Sequence, residues 1–414
     1  MMYGNHVWVV LVGSLLLTTG ASLVGTLHYV RKRALLGDVI SHALLPGVVL
    51  SYIIAESKTL WVLLPGAFVA GWCALQLEHW LKRYARMQED AVQATLLTVF
   101  FGLGIVLLSY VQQSGTGTQA GLDKFLFGNA AALLVEDLYA LAIVAGILVV
   151  CIVAFYRPLL VYCFDPAFAA STGLPVKLLE HLLSVLTVLS VVLGMQAVGV
   201  VLMAALWISP AAAARYWSYQ LTPMLLLALC FGALASLLGV WMSAAFSTMP
   251  TGPWMVVFMS VFAFLSALVA PQKGIWARFV RKRRKTLRIN EENILKALFY
   301  DRSQAFESLH LQSGIAEVPL TRALARLQKR KLLYTEHGKI TLTESGTDAA
   351  NRIVRLHRLW ELYLSHRMSI ASDHVHADAE YIEHLLTPEL EAQLEQELGF
   401  PTHDPHNREI PRKG

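Results

Sequence analysis

Residues 181–214 read HLLSVLTVLSVVLGMQAVGVVLMAALWISPAAAA. No Asp, Glu, Lys or Arg occurs from His181 to Ala214, and none from Tyr216 to Gln272. Stretches of this length without charge cannot be solvated as a surface, and they exceed ordinary core helices. Their solvent is a bilayer. The 181–214 block is too long for one span of about 20 residues and tight for two. The parity of the whole chain has to decide between them.

Further apolar stretches of spanning length lie near 7–27, 38–55, 60–78, 92–111, 136–156, 221–245 and 253–270. Basic residues concentrate in loops on the cytoplasmic side of membrane proteins. Arg31, Lys32 and Arg33 place the first connection there, Lys82, Arg83 and Arg86 the third, and Arg281–Lys285 the tail. A chain that starts outside and ends inside crosses an odd number of times. Nine spans follow, with 181–214 a helical hairpin turning near Gly194–Gly199; eight spans with one re-entrant piece is the alternative. The first span follows no basic run and has no convincing small-residue cleavage site, so it reads as an uncleaved span.

Composition agrees. The 414 residues are 56% hydrophobic and 15% charged, with mean hydropathy +0.52, whereas soluble domains carry about a quarter charged residues. An ordinary cytosolic enzyme is excluded. Residues 1–270 hold 11 Lys/Arg and 10 Asp/Glu; the remaining 144 hold 23 and 19. The expected organisation is an all-α polytopic membrane domain over 1–270, a basic linker over 271–289, a winged helix over 290–348 and a helical metal-binding and dimerisation domain over 349–414. Net charge is only +5, but Lys273–Arg288 holds eight basic residues and no acid. Cys73, Cys151, Cys163 and Cys230 lack paired spacing and read as small core residues rather than a disulfide or zinc framework.

Ionisable groups inside spans are costly and point to function. Asp38 and His42 are four residues apart on one face of the second span, and together they can hold a divalent cation. A plain Asp–His hydrogen bond between helices explains them equally well. Pro46–Gly47 is expected to interrupt this helix beside the site, and Pro210 to make a second break. Between spans, Asp165 can cap a short helix with Pro166 at its first position, and Gly173 can end it. Such a helix can rest on the bilayer or dock a soluble partner.

These residues together resemble a known family. Arg33-Ala-Leu-Leu-Gly-Asp-Val-Ile-Ser-His-Ala-Leu-Leu-Pro-Gly47 is similar to the signature of ABC-type permeases that import manganese, zinc or iron, and Leu126–Asn129, Phe164–Pro175, Gln196–Leu206 and Ser209–Arg215 continue the pattern. The resemblance covers about 1–270. It implies that Asp38 and His42 ligate the transported cation. It also makes Phe164, Asp165, Pro166, Phe168, Ala169, Ala170, Gly173, Leu174 and Pro175 part of a helix coupling to the ATPase. It implies a homodimer or paired permease in the plasma membrane, its N-terminus outside and its C-terminal domain cytoplasmic, fed by an extracytoplasmic metal-binding protein. No Gly-x-x-x-x-Gly-Lys-Ser/Thr loop is present, so a separate ABC ATP-binding subunit has to hydrolyse ATP. The permease itself needs no cofactor.

Beyond Ile289 the pattern changes to short amphipathic helices. Asn290–Tyr300 opens as a capped helix, a second lies around Ala305–Leu311, and a third, Pro319–Lys331, buries Leu320, Leu324 and Leu327. That third helix exposes Arg322, Arg326, Lys329 and Arg330, and Leu332–Leu342 alternates as a two-stranded wing around His337–Gly338. Such a module can enter a DNA major groove, or bind protein, or only dimerise. Nine of the 14 histidines lie in this half. His357 and Glu361 share a helical face, as do Glu380, Glu383 and His384, and two carboxylates with an imidazole suit manganese, iron(II) or zinc.

This half resembles the iron- and manganese-dependent repressors of the diphtheria-toxin-repressor family, through Pro401-Thr-His-Asp-Pro-His-Asn-Arg-Glu-Ile-Pro411. The resemblance places His357, Glu361 and His376 on one metal site and Glu380, Glu383 and His384 on another. Asn293 stands where that family usually has Asp or Met, which implies a weaker ligand. The leading expectation is a metal permease whose tail senses divalent metal; the competing one is a membrane-anchored, metal-dependent DNA-binding regulator. No span carries a nucleophile–base pair or a His-Glu-x-x-His helix, so an intramembrane enzyme is disfavoured.

Overall fold

The computed structural model describes residues 2–57, 59–113, 128, 130, 133–246, 249–367, 388–406 and 408–411. It falls into two compact units, Met1–Ala277 and Arg278–Gly414.

In the first unit the helices are α1 (Met2–Val30), α2 (Leu36–Ala55), α3 (Leu60–Tyr84), α4 (Glu89–Gln113), α5 (Val135–Ala154), the short α6 (Tyr156–Phe164) and α7 (Pro166–Ser171), then α8 (Val176–Val198), α9 (Val200–Trp217), α10 (Leu221–Ala245) and α11 (Thr251–Val269). Nine of these are long and apolar enough to cross a bilayer among the described residues. The 181–214 block does form two helices. They meet at Gly199, whose φ of +86° suits a residue without Cβ. A Trp207 Nε1–H···Ser190 Oγ bond of 3.2 Å between residues 17 apart shows that the chain reverses there.

Solvation is inverted relative to a soluble bundle. Val106, Val153 and Phe264 are each about two-thirds exposed, as lipid contact allows, whereas Ser14, Thr18, Ser22, Thr26, Ser190 and Ser236 are buried. Thr18 and Ser236 share a 2.9 Å hydrogen bond between α1 and α10. Interhelical polar bonds and small residues of this kind stand in for the hydrophobic drive that lipid removes. At Gly25 and Gly47 a Cβ would sit 1.9 Å from Trp207 O and 2.2 Å from Gly66 O, so the backbones of α1/α9 and α2/α3 approach as closely as glycine permits.

Two expected breaks are absent. Both α2 and α9 run on through Pro46 and Pro210. Proline removes one helical hydrogen bond, but the packed neighbours keep the flanking turns helical.

The second unit holds most of α12 (Ile275–Tyr300), then β1 (Ser303–Ala305), α13 (Phe306–Ser313), α14 (Glu317–Lys329), β2 (Leu333–Glu336), β3 (Lys339–Leu342), α15 (Glu344–Arg367) and α16 (Pro388–Glu397). The helix expected to be capped at Asn290 instead starts at Ile275, so the basic run is helical. Arg288 and Glu292, four apart, pair across one turn at 2.8 Å. The wing forms as β2–β3 around His337 and Gly338, both at positive φ. Strand β1, not expected from the sequence, adds to the other edge of β3, giving the order β1–β3–β2. Leu320, Leu324 and Leu327 are buried with Ile294, Leu298, Leu309 and Ile340.

Candidate metal sites

Helix α2 carries Asp38 in its first turn and His42 one turn later. Gly37, just before Asp38, lies against the fully buried ring of Trp207, so the start of α2 is seated on α9. His42 Nδ1 stands 2.9 Å from the Asp38 carbonyl oxygen and 3.3 Å from Asp38 Oδ1. A carbonyl only accepts, so Nδ1 carries a proton, and in the neutral ring Nε2 then keeps the lone pair with which imidazole ligates metal. Nε2 makes no hydrogen bond among the described residues, and the ring edge meets Phe101 of α4, centroids 4.9 Å apart. Asp38 and His42 side chains are 34% and 13% exposed. The Asp–His contact lies within α2 and so does not tie two helices together. Asp38 sits on the Nδ1 edge of the ring, and Nε2 on the opposite edge is the nitrogen left for a cation.

The loop before α2 is held by charge. Arg33 pairs with Glu89 at 3.1 Å, and Lys82 bridges Glu89 and Glu78.

Phe164–Pro175 folds as its residues require. Asp165 Oδ1 accepts from the backbone N–H groups of Ala167 and Phe168, both at 3.0 Å; Pro166 opens α7, and Gly173 at φ +81° follows it. Phe168 is 56% exposed while Ala169 is buried, so the segment presents an aromatic side chain outward. Just upstream, burial pushes the Cys163 thiol up to about 12, against a smaller opposing effect of Arg31. Of the Leu126–Asn129 motif only Gly128 is among the described residues.

In the second unit α15 brings His357 Nε2 to 3.1 Å from Glu361 Oε1, with both side chains 3% exposed. Asn293 on α12 has a buried Oδ1 with no hydrogen-bond partner among the described residues. An orphaned carbonyl oxygen of this kind is what a ligand position leaves. His376, Glu380, Glu383 and His384 lie outside the described residues. Two residues that sequence reasoning had not assigned join Glu361: Asp404 and His406 present ligand atoms within 4.8 Å of it and of each other. Asp404 Oδ1 also accepts from the His406 and Arg408 N–H groups at 2.9 and 2.7 Å, forming the turn that aims His406. The Asp-x-His spacing was the available signal. Two carboxylates and an imidazole form a donor set that fits manganese, iron(II) or zinc.

Arg322, Arg326 and Lys329 on α14 and Arg330 just after it are all exposed, as expected, with Arg330 and Arg326 lying 2.9 and 3.6 Å from Glu291 of α12.

Comparison with known proteins agrees with this division. The ABC 3 transport family matches residues 3–270. The iron dependent repressor metal binding and dimerisation domain matches residues 343–412. The chain is 35% identical over 389 residues to the manganese transport system membrane protein MntC of Bacillus subtilis, covering 92% of this chain and 89% of that protein. It is 37% identical to the zinc transport system membrane protein TroC of Treponema pallidum, over 67% of this chain and 93% of that protein. Among solved structures, PsaBC from Streptococcus pneumoniae in complex with Fab aligns with TM-score 0.59 and 31% identity, over 66% of this chain and 94% of that one.

Proposed function

The chain belongs to the ABC 3 transport family, and we propose that it is the permease subunit of an importer for a divalent transition metal, with a tail that senses the same class of metal. Manganese, the cargo named for its full-length relative, is the first candidate, with zinc and iron as alternatives. The observation that carries the reading is the Asp38–His42 pair. Its tautomer is set for ligation, on a helix seated against the buried Trp207. His42 Nε2 would ligate the ion while Asp38 orients the ring from its Nδ1 edge, and the Asp38 carboxylate would join the ion on a change of rotamer. So few donors bind a divalent ion without enclosing it, as release on the far side demands.

The loop Arg31–Arg33 and the Lys82–Arg86 turn face the cytoplasm in this reading, and the second unit lies there too. Phe164–Pro175 is then the docking segment for a separate ATPase, with Phe168 as its exposed contact. An extracytoplasmic binding protein delivers the ion, and two permease copies line the path. In the tail, Glu361, Asp404 and His406 would hold a metal. Metal occupancy there adjusts transport through dimerisation of the tail.

The test is metal uptake in cells lacking their own manganese and zinc importers, with the ATPase and binding protein supplied. Asp38→Ala or His42→Ala should abolish uptake while membrane insertion persists. Normal uptake of all three metals by both variants would overturn the assignment.

A further inference from the structure

At the end of the bundle that carries Arg31–Arg33, a cavity of about 10 Å³ is lined by His28, Glu78, His79, Glu180, Ser184 and Thr187, among others. This is room for one water-sized particle. Glu78 is 1% exposed and His28 2%, and each leaves one buried atom, Glu78 Oε2 and His28 Nδ1, without a hydrogen-bond partner.

Hydrogen-bond accounting fixes what those atoms are. Thr187 Oγ donates its one hydrogen to Leu183 O at 2.6 Å, so it must accept from His28 Nε2, 2.7 Å away. His28 therefore carries its proton on Nε2, and Nδ1 of the neutral ring is a bare lone pair. Glu78 Oε1 is engaged by Lys82 and by Gln93, leaving Oε2 as a second bare acceptor. The two residues that carry these buried acceptors line one particle-sized cavity, and none of the described residues donates to either atom. An unpaired buried acceptor is costly. What satisfies both is a cation or a water that donates twice.

The charges permit the cation. Arg31 and Arg33 also line the cavity. Arg33 is paired with Glu89, and Arg31, stacked on the Tyr162 ring at 4.3 Å, keeps its charge. Arg31, Arg33 and Lys82 are thus offset one for one by Glu78, Glu89 and Glu180. Lys82 is divided between Glu78 and Glu89. Glu180, held by His79 at 2.9 Å, adds a second carboxylate to the lining. We propose that His28 Nδ1 and Glu78 Oε2 form a second, transient station for the divalent cargo, distinct from Asp38–His42. The inference rests on the permease reading only for the identity of the ion as cargo. With two protein donors and no room for a water shell the ion is held weakly, which suits an ion in passage better than a resident one.

The test is the number of Mn(II) ions bound per full-length chain in lipid nanodiscs, by equilibrium dialysis with Mn(II) as the only probe. Glu78→Gln and His28→Leu should each bind one ion fewer than the parent chain, and Glu78→Gln with Asp38→Ala two fewer. Thr187→Val keeps both donors but releases the His28 tautomer. It should weaken one class of sites about 10–100-fold, as loss of an outer-shell partner does, without lowering the number bound at saturation. Unchanged stoichiometry in Glu78→Gln and His28→Leu would mean that the cavity holds only a buried water. If either variant fails to give a monodisperse protein, an unaltered binding curve for Thr187→Val overturns the proposal by itself. Loss at Glu78 without loss at Asp38 would leave this station standing and remove the Asp38 assignment; the reverse pattern does the opposite.

Discussion

Gly37→Ala is a one-carbon change one residue away from Asp38. Its added Cβ would lie 2.3 Å from Trp207 Cε3 and within 3.0 Å of two more ring atoms. Ordinary contact begins near 3.4 Å, so about 1 Å of movement is required. The ring cannot supply it. Trp207 is fully buried, bonded to Ser190 at 3.2 Å, and flanked by the His28 ring with centroids 5.0 Å apart. The start of α2 must therefore move and carry Asp38 with it. Overpacking of this kind costs about 1–3 kcal/mol, and a ligand site tolerates displacement of only about 0.5 Å. If the cost falls on metal binding, affinity drops by roughly 5- to 150-fold, at 1.4 kcal/mol per factor of ten. The assay is initial-rate manganese uptake at several concentrations, with thermal unfolding of the purified chain alongside. The half-saturating concentration should rise, and Gly37→Ala/Trp207→Leu should recover part of it because the smaller side chain frees the space. Wild-type uptake and stability in Gly37→Ala, or no recovery in the double variant, would refute the link between Trp207 and the site.

Three further outcomes follow from the same structure. Cys163, whose thiol is held up to about 12 by burial, stays protonated at every pH below that value. N-ethylmaleimide at pH 8 should leave it unlabelled in the folded chain and label it once the chain is unfolded in SDS; labelling of the folded chain would refute its burial. Manganese at a hundredfold excess over Kd should stabilise the tail by about 2.7 kcal/mol. Asp404→Asn or Glu361→Gln should remove most of that shift in a melting experiment, and an undiminished shift would place the metal elsewhere. Gly173→Trp introduces a bulky side chain at φ +81° and should abolish co-purification with the ATPase, whereas retained ATPase stimulation would move the docking segment elsewhere.

Much of the fold was legible because bilayer solvation is a coarse constraint. Uncharged length gave the spans, loop arginines and lysines gave parity, and Gly199 marked the reversal inside 181–214. The continuity of α2 and α9 through Pro46 and Pro210 was not legible, since it depends on neighbours that sequence spacing does not reveal. The same holds for β1, whose three residues take their structure from pairing with β3. At the sites, Asp38 and His42 stood out because ionisable groups inside an apolar run are costly, although their spacing alone explains a plain hydrogen bond equally well. Asp404 and His406 did not, because their meeting with Glu361 joins α15 to a turn more than 40 residues away. His28 and Glu78 were equally invisible. A buried acceptor without a partner shows only once the helices are packed together.

The central claim, that this chain passes a divalent metal by way of Asp38 and His42, is tested most directly in proteoliposomes. These would contain the permease with its ATPase, loaded with an internal manganese-sensitive dye, and receive external manganese-charged binding protein and internal ATP. ATP-dependent dye response with the parent chain, and none with Asp38→Ala or His42→Ala although ATPase association is intact, is the predicted result. An equal ATP-dependent influx in both variants would contradict the account.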